Sequence, residues 1–312
     1  MDSEHTFFLS GDASPDIMRW SSMLLLNTDL LTEFNIDKDS FYEMVLDGKW
    51  TFDELFGVVE KVRIDADGDD EYTEKDTYGL GEFTYSNGAH FLFDSGIRAT
   101  DRDENGYPYF ILKNERTVNA YERIFRLFYE QEGVYYVPGA PTLEMFGNNQ
   151  LLLLSAKFYF LDSLRDSDVN YSVIPMPKLD LSVEQYSSLA HNACLVLCVP
   201  IISTQVGNMT AVMEKTAYHY YCDVMPTYYE IVLKTKYRRD SSEASAQILD
   251  VVHDSLMTDF AYFYSHSLGN IISNINIILG GQDLNFASSY EKNARSYEKA
   301  LSKLIDALQK EP

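Results

Sequence analysis

The chain has 312 residues, with 48 Asp and Glu against 25 Lys and Arg and a net charge of −23; at roughly 150 residues per domain, that is length for about two domains. A phosphate backbone is gripped through clustered Lys and Arg, so this balance excludes nucleic acid as a partner. With 46% hydrophobic and 14% aromatic residues, the chain holds the material for large cores, which excludes an acidic disordered tail.

Met1-Asp2-Ser3-Glu4-His5 shows neither the basic nor the apolar region of a signal peptide, and no apolar stretch approaches the roughly 20 residues of a bilayer span. The first continuous apolar run is Met23-Leu24-Leu25-Leu26. Such short runs, bounded by turn residues and alternating with amphipathic helices, predict strands buried on both faces in α/β units. Thr51 with Glu54 three residues later reads as a capping box, and Trp50 with Leu55 as a hydrophobic staple, which makes Trp50 structural. Leu55, Val58, Val59 and Val62 then paint one face of the helix that follows.

That helix ends at the acidic loop 65–76. Side-chain oxygens fall at its positions 1, 3, 5, 9 and 12 through Asp65, Asp67, Asp69, Thr73 and Asp76, with the Glu71 carbonyl at position 7. This is the spacing of a calcium loop, because a hard cation needs a ring of oxygens. Asp70 stands where Gly normally makes the sharp turn, and Asp76 reaches less far than the usual closing Glu. The competing reading is a solvated acidic turn; a bound calcium would be structural.

Further helices are expected over 118–129, 209–221, 226–237 (opened by Pro226) and 244–256, and further buried strands over 151–154, 171–174 and 193–199. Cys194 and Cys198, inside the last run, read as small buried hydrophobes, and three cysteines are too few for a disulfide framework. Tyr290, Ala294, Tyr297, Leu301, Leu304 and Leu308 make a docking stripe on the last helix, opposite Lys292, Arg295, Lys299 and Lys303. Phosphate-loop, zinc and nucleophile-elbow motifs are missing, and acidic pairs are too common here to single out a glycosidase pair.

Five segments in order carry a resemblance. They are Leu26-Asn27-Thr28-Asp29-Leu30-Leu31, Asp47-Gly48-Lys49-Trp50-Thr51-Phe52-Asp53, the acidic loop running into Asp76-Thr77-Tyr78-Gly79-Leu80, Ile174-Pro175-Met176-Pro177-Lys178, and Tyr228-Tyr229-Glu230-Ile231-Val232-Leu233-Lys234-Thr235-Lys236-Tyr237-Arg238-Arg239-Asp240. Together the chain resembles the extracellular solute-binding proteins of ABC importers, in the branch of sugar-binding family 1. The resemblance implies a two-lobed, type II periplasmic-binding-protein-like α/β architecture, a non-catalytic receptor that captures a sugar or oligosaccharide, and an ABC permease as its partner. It also implies a secreted or lipid-anchored extracellular protein.

In the family's layout Asn27 falls about a hundred residues into the mature protein, whereas here 26 residues precede it. The expectation is that signal peptide and first βα units are missing, leaving 1–22 with 190–240 as a remnant of lobe 1 and 23–189 with 241–312 as lobe 2. Such a remnant exposes apolar faces and invites self-association.

Sugars present apolar CH faces and a rim of hydroxyls, which aromatic rings, planar amides and carboxylates match. Set against the family's layout, that chemistry puts Trp20, Glu82, Phe83, Tyr85, Phe158, Tyr159, His191, Asn192, Tyr264 and His266 at the ligand. The alternatives are a core role for Trp20 and the aromatics at 158–160, and a hinge hydrogen bond for His191 and Asn192. The competing function is a carbohydrate-active hydrolase with a calcium-stabilised loop; a calcium-dependent interaction module is a third.

Overall fold

The computed structural model describes residue 10 and residues 14–82, 88–200, 202–237 and 240–309. In chain order, α1 (Asp16–Arg19) leads into β1 (Ser22–Asn27), then α2 (Thr28–Glu33), α3 (Lys38–Leu46), α4 (Phe52–Val59) and the antiparallel pair β2 (Arg63–Ile64) and β3 (Thr77–Glu82). Next come α5 (His90–Asp94), the hairpin of β4 (Thr100–Arg102) and β5 (Pro108–Phe110), α6 (Glu115–Tyr129), β6 (Val134–Tyr135) and α7 (Thr142–Gly147). The strands β7 (Leu151–Lys157), β8 (Tyr171–Ile174) and β9 (Ser188–Leu189) follow. Beyond them α8 (Val206–His219) continues as helical turns through Tyr220–Val224 and Thr227–Tyr237, ahead of α9 (Glu243–Asp254) and β10 (Leu256–Met257). The chain closes with α10 (Phe260–Phe263), α11 (Ile271–Gly280) and α12 (Phe286–Gln309).

Three of the four continuous apolar runs become β1, β7 and β8, and every residue of these strands is buried, as covering on both faces requires. The sheet order is β2-β3-β7-β1-β8, with β6 beside a further stretch of β3. β1 is antiparallel to β7 and β8, whereas β3 is parallel to β6 and β7. The two-residue alternation of β1 divides the interior: Leu24 and Leu26 join a core with Leu55, Phe91, Ile124 and Tyr297, and Met23 and Leu25 join another with Phe146, Phe158 and Leu161.

The stripe on α4 packs as its spacing requires, with Phe52, Leu55, Val58 and Val59 buried, but the Thr51 side chain caps nothing. Thr51 instead forms a parallel bridge with Lys178: the Phe52 N–H donates to the Lys178 carbonyl at 2.9 Å and the Lys178 N–H to the Trp50 carbonyl at 3.1 Å. Strand-like pairing therefore sets the helix entry that the capping box was expected to set. Trp50 is fully buried and its Nε1–H donates to the Pro175 carbonyl at 3.1 Å, in keeping with a structural role. On α12, Tyr290, Tyr297 and Leu301 are buried while Lys292, Arg295, Lys299 and Lys303 face solvent.

The run 193–199 departs from expectation. It forms turns and irregular chain apart from one bridge residue, Leu197; Leu195 is 64% exposed, and Cys198 is exposed while Cys194 is buried. Pairing along the run is confined to that one residue, and a single bridge does not satisfy a strand's backbone. Among the described side chains from 191 to 240, only Cys194 and Leu233 are buried, and α8 buries none. Pro226 opens no separate helix, because helical turns precede and follow it. Among the described residues no helix is long and apolar enough to cross a membrane.

Candidate functional site

Three passes of the chain run side by side at one end of the sheet. Ser21 bridges Ala190, β9 pairs with β10, the His191 N–H donates to the Trp20 carbonyl at 3.0 Å, and the Ala190 N–H to the Met257 carbonyl at 2.8 Å. The carboxyl ends of β3 and β7 arrive at the same place, with Glu82 opposite Ser155 and Lys157 opposite Ser22. In α/β folds, ligands sit in the crevice beyond the carboxyl ends of strands.

A cavity of about 650 Å³ is lined by His191 and Asn192 of the second pass, Tyr262 of α10, Tyr129 and Tyr136 at the end of α6 and beyond β6, and Asn276 of α11. The Tyr129 hydroxyl donates to the Leu279 carbonyl at 2.8 Å, which ties α6 to α11, and Tyr136 stacks on Phe128 with centroids 4.4 Å apart. Asn276 Oδ1 accepts from the Ala89 N–H at 3.1 Å, and Asn192 Nδ2 donates to the Tyr262 carbonyl at 3.2 Å, so both amides are oriented by backbone.

His191 Nδ1 accepts from the Ala193 N–H at 3.1 Å, which leaves Nε2 to carry the proton of a neutral ring. Burial, followed by the positive charges of Lys157 and His90, pushes the His191 pKa down to about 4, so the ring is neutral at physiological pH. The Trp20 ring lies 4.6 Å from Tyr159 and 5.7 Å from His191, and His191 lies 5.7 Å from Tyr262. Trp20, Tyr159, His191 and Asn192 therefore share one neighbourhood, in which His191 and Asn192 line the cavity itself.

Other expected contacts fall elsewhere. Phe158 is only 1% exposed and belongs to the core around Phe146 and Leu161, because the end of β7 turns it inward. Glu82 is fully buried with Oε1 2.9 Å from His90 Nε2, so it meets an internal base instead of the cavity. Tyr264 lines a different cavity, of about 710 Å³, with Arg98, Phe260 and Phe263. His266 is exposed, its Nδ1 3.1 Å from Asn270 Oδ1. Phe83 and Tyr85 lie outside the described residues.

Sequence reasoning missed Tyr129, Tyr136, Tyr262 and Asn276, whose roles depend on which helices meet. It also missed His90. This residue bridges Glu82 and Asp94, the latter 2.8 Å away, although a His and an Asp four apart are neighbours on any helix. Asp94 Oδ1 accepts from the Leu189 N–H at 2.7 Å, the Lys157 ammonium donates to Ser22 Oγ at 2.6 Å, and that hydroxyl donates to the Leu189 carbonyl at 3.2 Å. Burial opposes a charge on His90, but the field of Glu82 and the bond to Asp94 outweigh it and raise its pKa; burial lowers that of Lys157. Among the described residues Glu82 Oε2 has no hydrogen-bond partner.

In the acidic loop, Asp65, Asp67 and Asp76 bring one carboxylate oxygen each to within 4.8 Å of one another, the Asp69 and Glu71 carboxylates are not in this group, and the Thr73 hydroxyl lies 3.4 Å from Asp76 Oδ2. Asp65 accepts from the Gly68 and Asp70 N–H groups at 2.7 and 2.9 Å, Asp76 from those of Ala66 and Thr73 at 2.8 and 2.7 Å, and the Lys75 ammonium lies 3.2 Å from Asp67. Asp70 adopts the left-handed backbone, φ 63°, that a Gly would supply at that position.

No protein-family model and no curated protein matches the sequence. Solved structures match its shape. The sugar-binding protein MalE from Xanthomonas citri shares 15% identity at a TM-score of 0.58, over 94% of this chain and 71% of its own. A solute-binding protein of an ABC transporter from Thermotoga lettingae, bound with α-D-tagatose, shares 14% at 0.58 over 96% and 73%. UgpB from Mycobacterium tuberculosis, in complex with glycerophosphocholine, shares 10% at 0.58 over 91% and 70%. The chain has the α/β fold of the two-lobed solute-binding proteins of ABC transporters.

Proposed function

We propose that this chain is the solute-capturing component of an ABC importer and takes a neutral sugar or oligosaccharide. One observation carries the reading: a cavity beside three crossing passes of the chain whose described lining offers Tyr rings, planar amides, hydroxyls and a neutral imidazole, with no Asp, Glu, Lys or Arg. Such a lining suits CH faces and hydroxyls and gives nothing to balance a charged solute. A solute that touches both sides of the passes binds the closed arrangement better than the open one, and favours closure by that difference. Structures of the same fold hold tagatose and maltotriose, which supports the same solute class here. The reading implies a protein outside the cytoplasmic membrane, secreted or lipid-anchored, that hands its solute to a permease.

Glycosidic hydrolysis needs two carboxyl groups flanking the bond, and the lining supports the receptor reading over the hydrolase. Calorimetry with a panel of neutral mono- and oligosaccharides tests both: saturable binding with the sugar recovered intact is expected, no binding across the panel overturns the receptor, and cleaved product establishes the hydrolase.

Two further proposals attach to this reading. The group of Asp65, Asp67 and Asp76 takes a structural calcium ion, which displaces the Lys75 ammonium. The exposed apolar side chains from Val206 to Ile231 associate with a second copy of the chain.

A further inference from the structure

We propose that His90 is a proton-operated tie between the end of β3 and the passes of the chain beside the cavity: protonated, it bridges Glu82 and Asp94 and holds the passes together; deprotonated, it releases them and weakens solute capture. The coupling to capture rests on the receptor reading above; the tie itself rests on geometry.

His90 is buried and its two ring nitrogens reach carboxylates on two elements, Glu82 at the end of β3 at 2.9 Å and Asp94 on its own helix at 2.8 Å. Asp94 uses its other oxygen to hold the Leu189 N–H of β9 at 2.7 Å. The Leu189 carbonyl accepts from Ser22 Oγ, to which Lys157 donates. A chain of hydrogen bonds thus runs from β3 through His90 and Asp94 to two of the three passes, those at Ser22 and at Leu189, while Ala190 and His191 bond the other strands of the junction.

Among the described residues, the groups facing His90 come from several elements. β3 gives Glu82, α5 gives Asp94, β7 gives Lys157 and the Ser155 hydroxyl at 3.4 Å, the second pass gives His191, and α10 gives Tyr262, which feels Asp94 and Glu82. With both His90 and Lys157 protonated, two positive charges meet two carboxylates in a buried space. Loss of the His90 proton leaves one carboxylate charge unbalanced there, which buried surroundings penalise heavily.

The sign follows from the raised pKa of His90. A histidine whose pKa is higher folded than unfolded contributes its full stabilisation below the unfolded value near 6.5, and loses it as pH rises through the folded value. His191, pushed down to about 4, stays neutral across that range and does not mask the effect.

The test uses the whole chain. Imidazole resonances of histidine-labelled protein are followed from pH 5 to 10, and amide exchange of the peptide containing Leu189, corrected for the intrinsic rate, is followed over the same range. One of the six histidines is expected to titrate above the ordinary value, and Leu189 protection is expected to fall as it does, by about tenfold per unit of pKa shift. His90→Gln removes both the resonance and the pH dependence. Asp94→Asn, which keeps an acceptor for Leu189 but no charge, lowers the His90 pKa. A His90 resonance at or below the ordinary value, or Leu189 protection with the same pH dependence in His90→Gln, overturns the tie; the first needs only wild-type protein. Sugar affinity measured along the same range separates the two readings: binding that ignores pH overturns the coupling and leaves the receptor standing. No binding at any pH overturns the receptor and, with it, the coupling to capture, while exchange still decides the tie.

Discussion

Asn192 shows how one side chain serves the cavity without serving the fold. Its side chain is exposed and makes one hydrogen bond, to the Tyr262 carbonyl, so its truncation removes a polar contact from the lining and little packing. Asn192→Ala is expected to weaken sugar binding by about three- to tenfold while changing stability by less than about 1 kcal/mol, measured by calorimetry and by urea unfolding. Asp240 does the opposite. Burial would raise its pKa, but the Tyr42 hydroxyl at 2.7 Å, the Ser242 N–H and the Lys38 ammonium at 3.0 Å pull it down to about 2. A carboxylate depressed in the folded state stabilises above its unfolded pKa and loses that contribution as pH falls towards the folded value. Between about pH 4 and 2 the wild type should therefore lose stability more steeply than Asp240→Asn, read as melting temperature against pH.

Elements were legible where their pattern is complete in one dimension. Residues 23–26 and 151–154 are apolar throughout, and 171–174 in all but Ser172, so a doubly covered strand suits them, and the stripe on α12 fixes which side docks. Residues 193–199 carry the same pattern, yet pairing depends on a neighbour that the run itself does not encode. His90 was hidden for a related reason: its partners lie eight residues before it and four after, and its charge balance depends on Lys157, far away in sequence. Close packing between elements was equally invisible. A Cβ on Gly79 would lie 2.6 Å from both Cα and O of Val59, and backbone on α4 yields less readily than a side chain. Gly79→Ala is expected to cost about 1–3 kcal/mol by urea unfolding, because the clash outweighs the smaller gain from a less flexible unfolded chain. In the acidic loop, calcium is expected to raise the melting temperature of the wild type relative to chelator and to leave that of Asp67→Asn unchanged; equal responses overturn the proposed ion.

At the scale of the molecule, burial is uneven. The sheet and its helices hide nearly all their apolar side chains, while Val212, Tyr218, Tyr221 and Ile231 are 58–67% exposed on one helical stretch. Apolar exposure of that kind marks a surface meant for contact. Sedimentation of the chain at rising concentration is expected to show a dimer that Val212→Glu weakens at least about tenfold; a monomer at all concentrations overturns the self-association. How these helices are partnered was not legible from spacing, since an amphipathic pattern tells which face is apolar and not what covers it.

The place of β1 in the sheet has a consequence for how the chain acquires its structure. β1 is made before its sheet partners β7 and β8, and Ser22 meets Lys157 135 residues later. During synthesis this strand, apolar from Met23 to Leu26, must wait, unpaired, until most of the sheet exists. Contacts so distant make folding slow, in the range of milliseconds to seconds and beyond, and leave the nascent segment as a target for chaperones. The same delay keeps this sheet incomplete long after β1 has emerged.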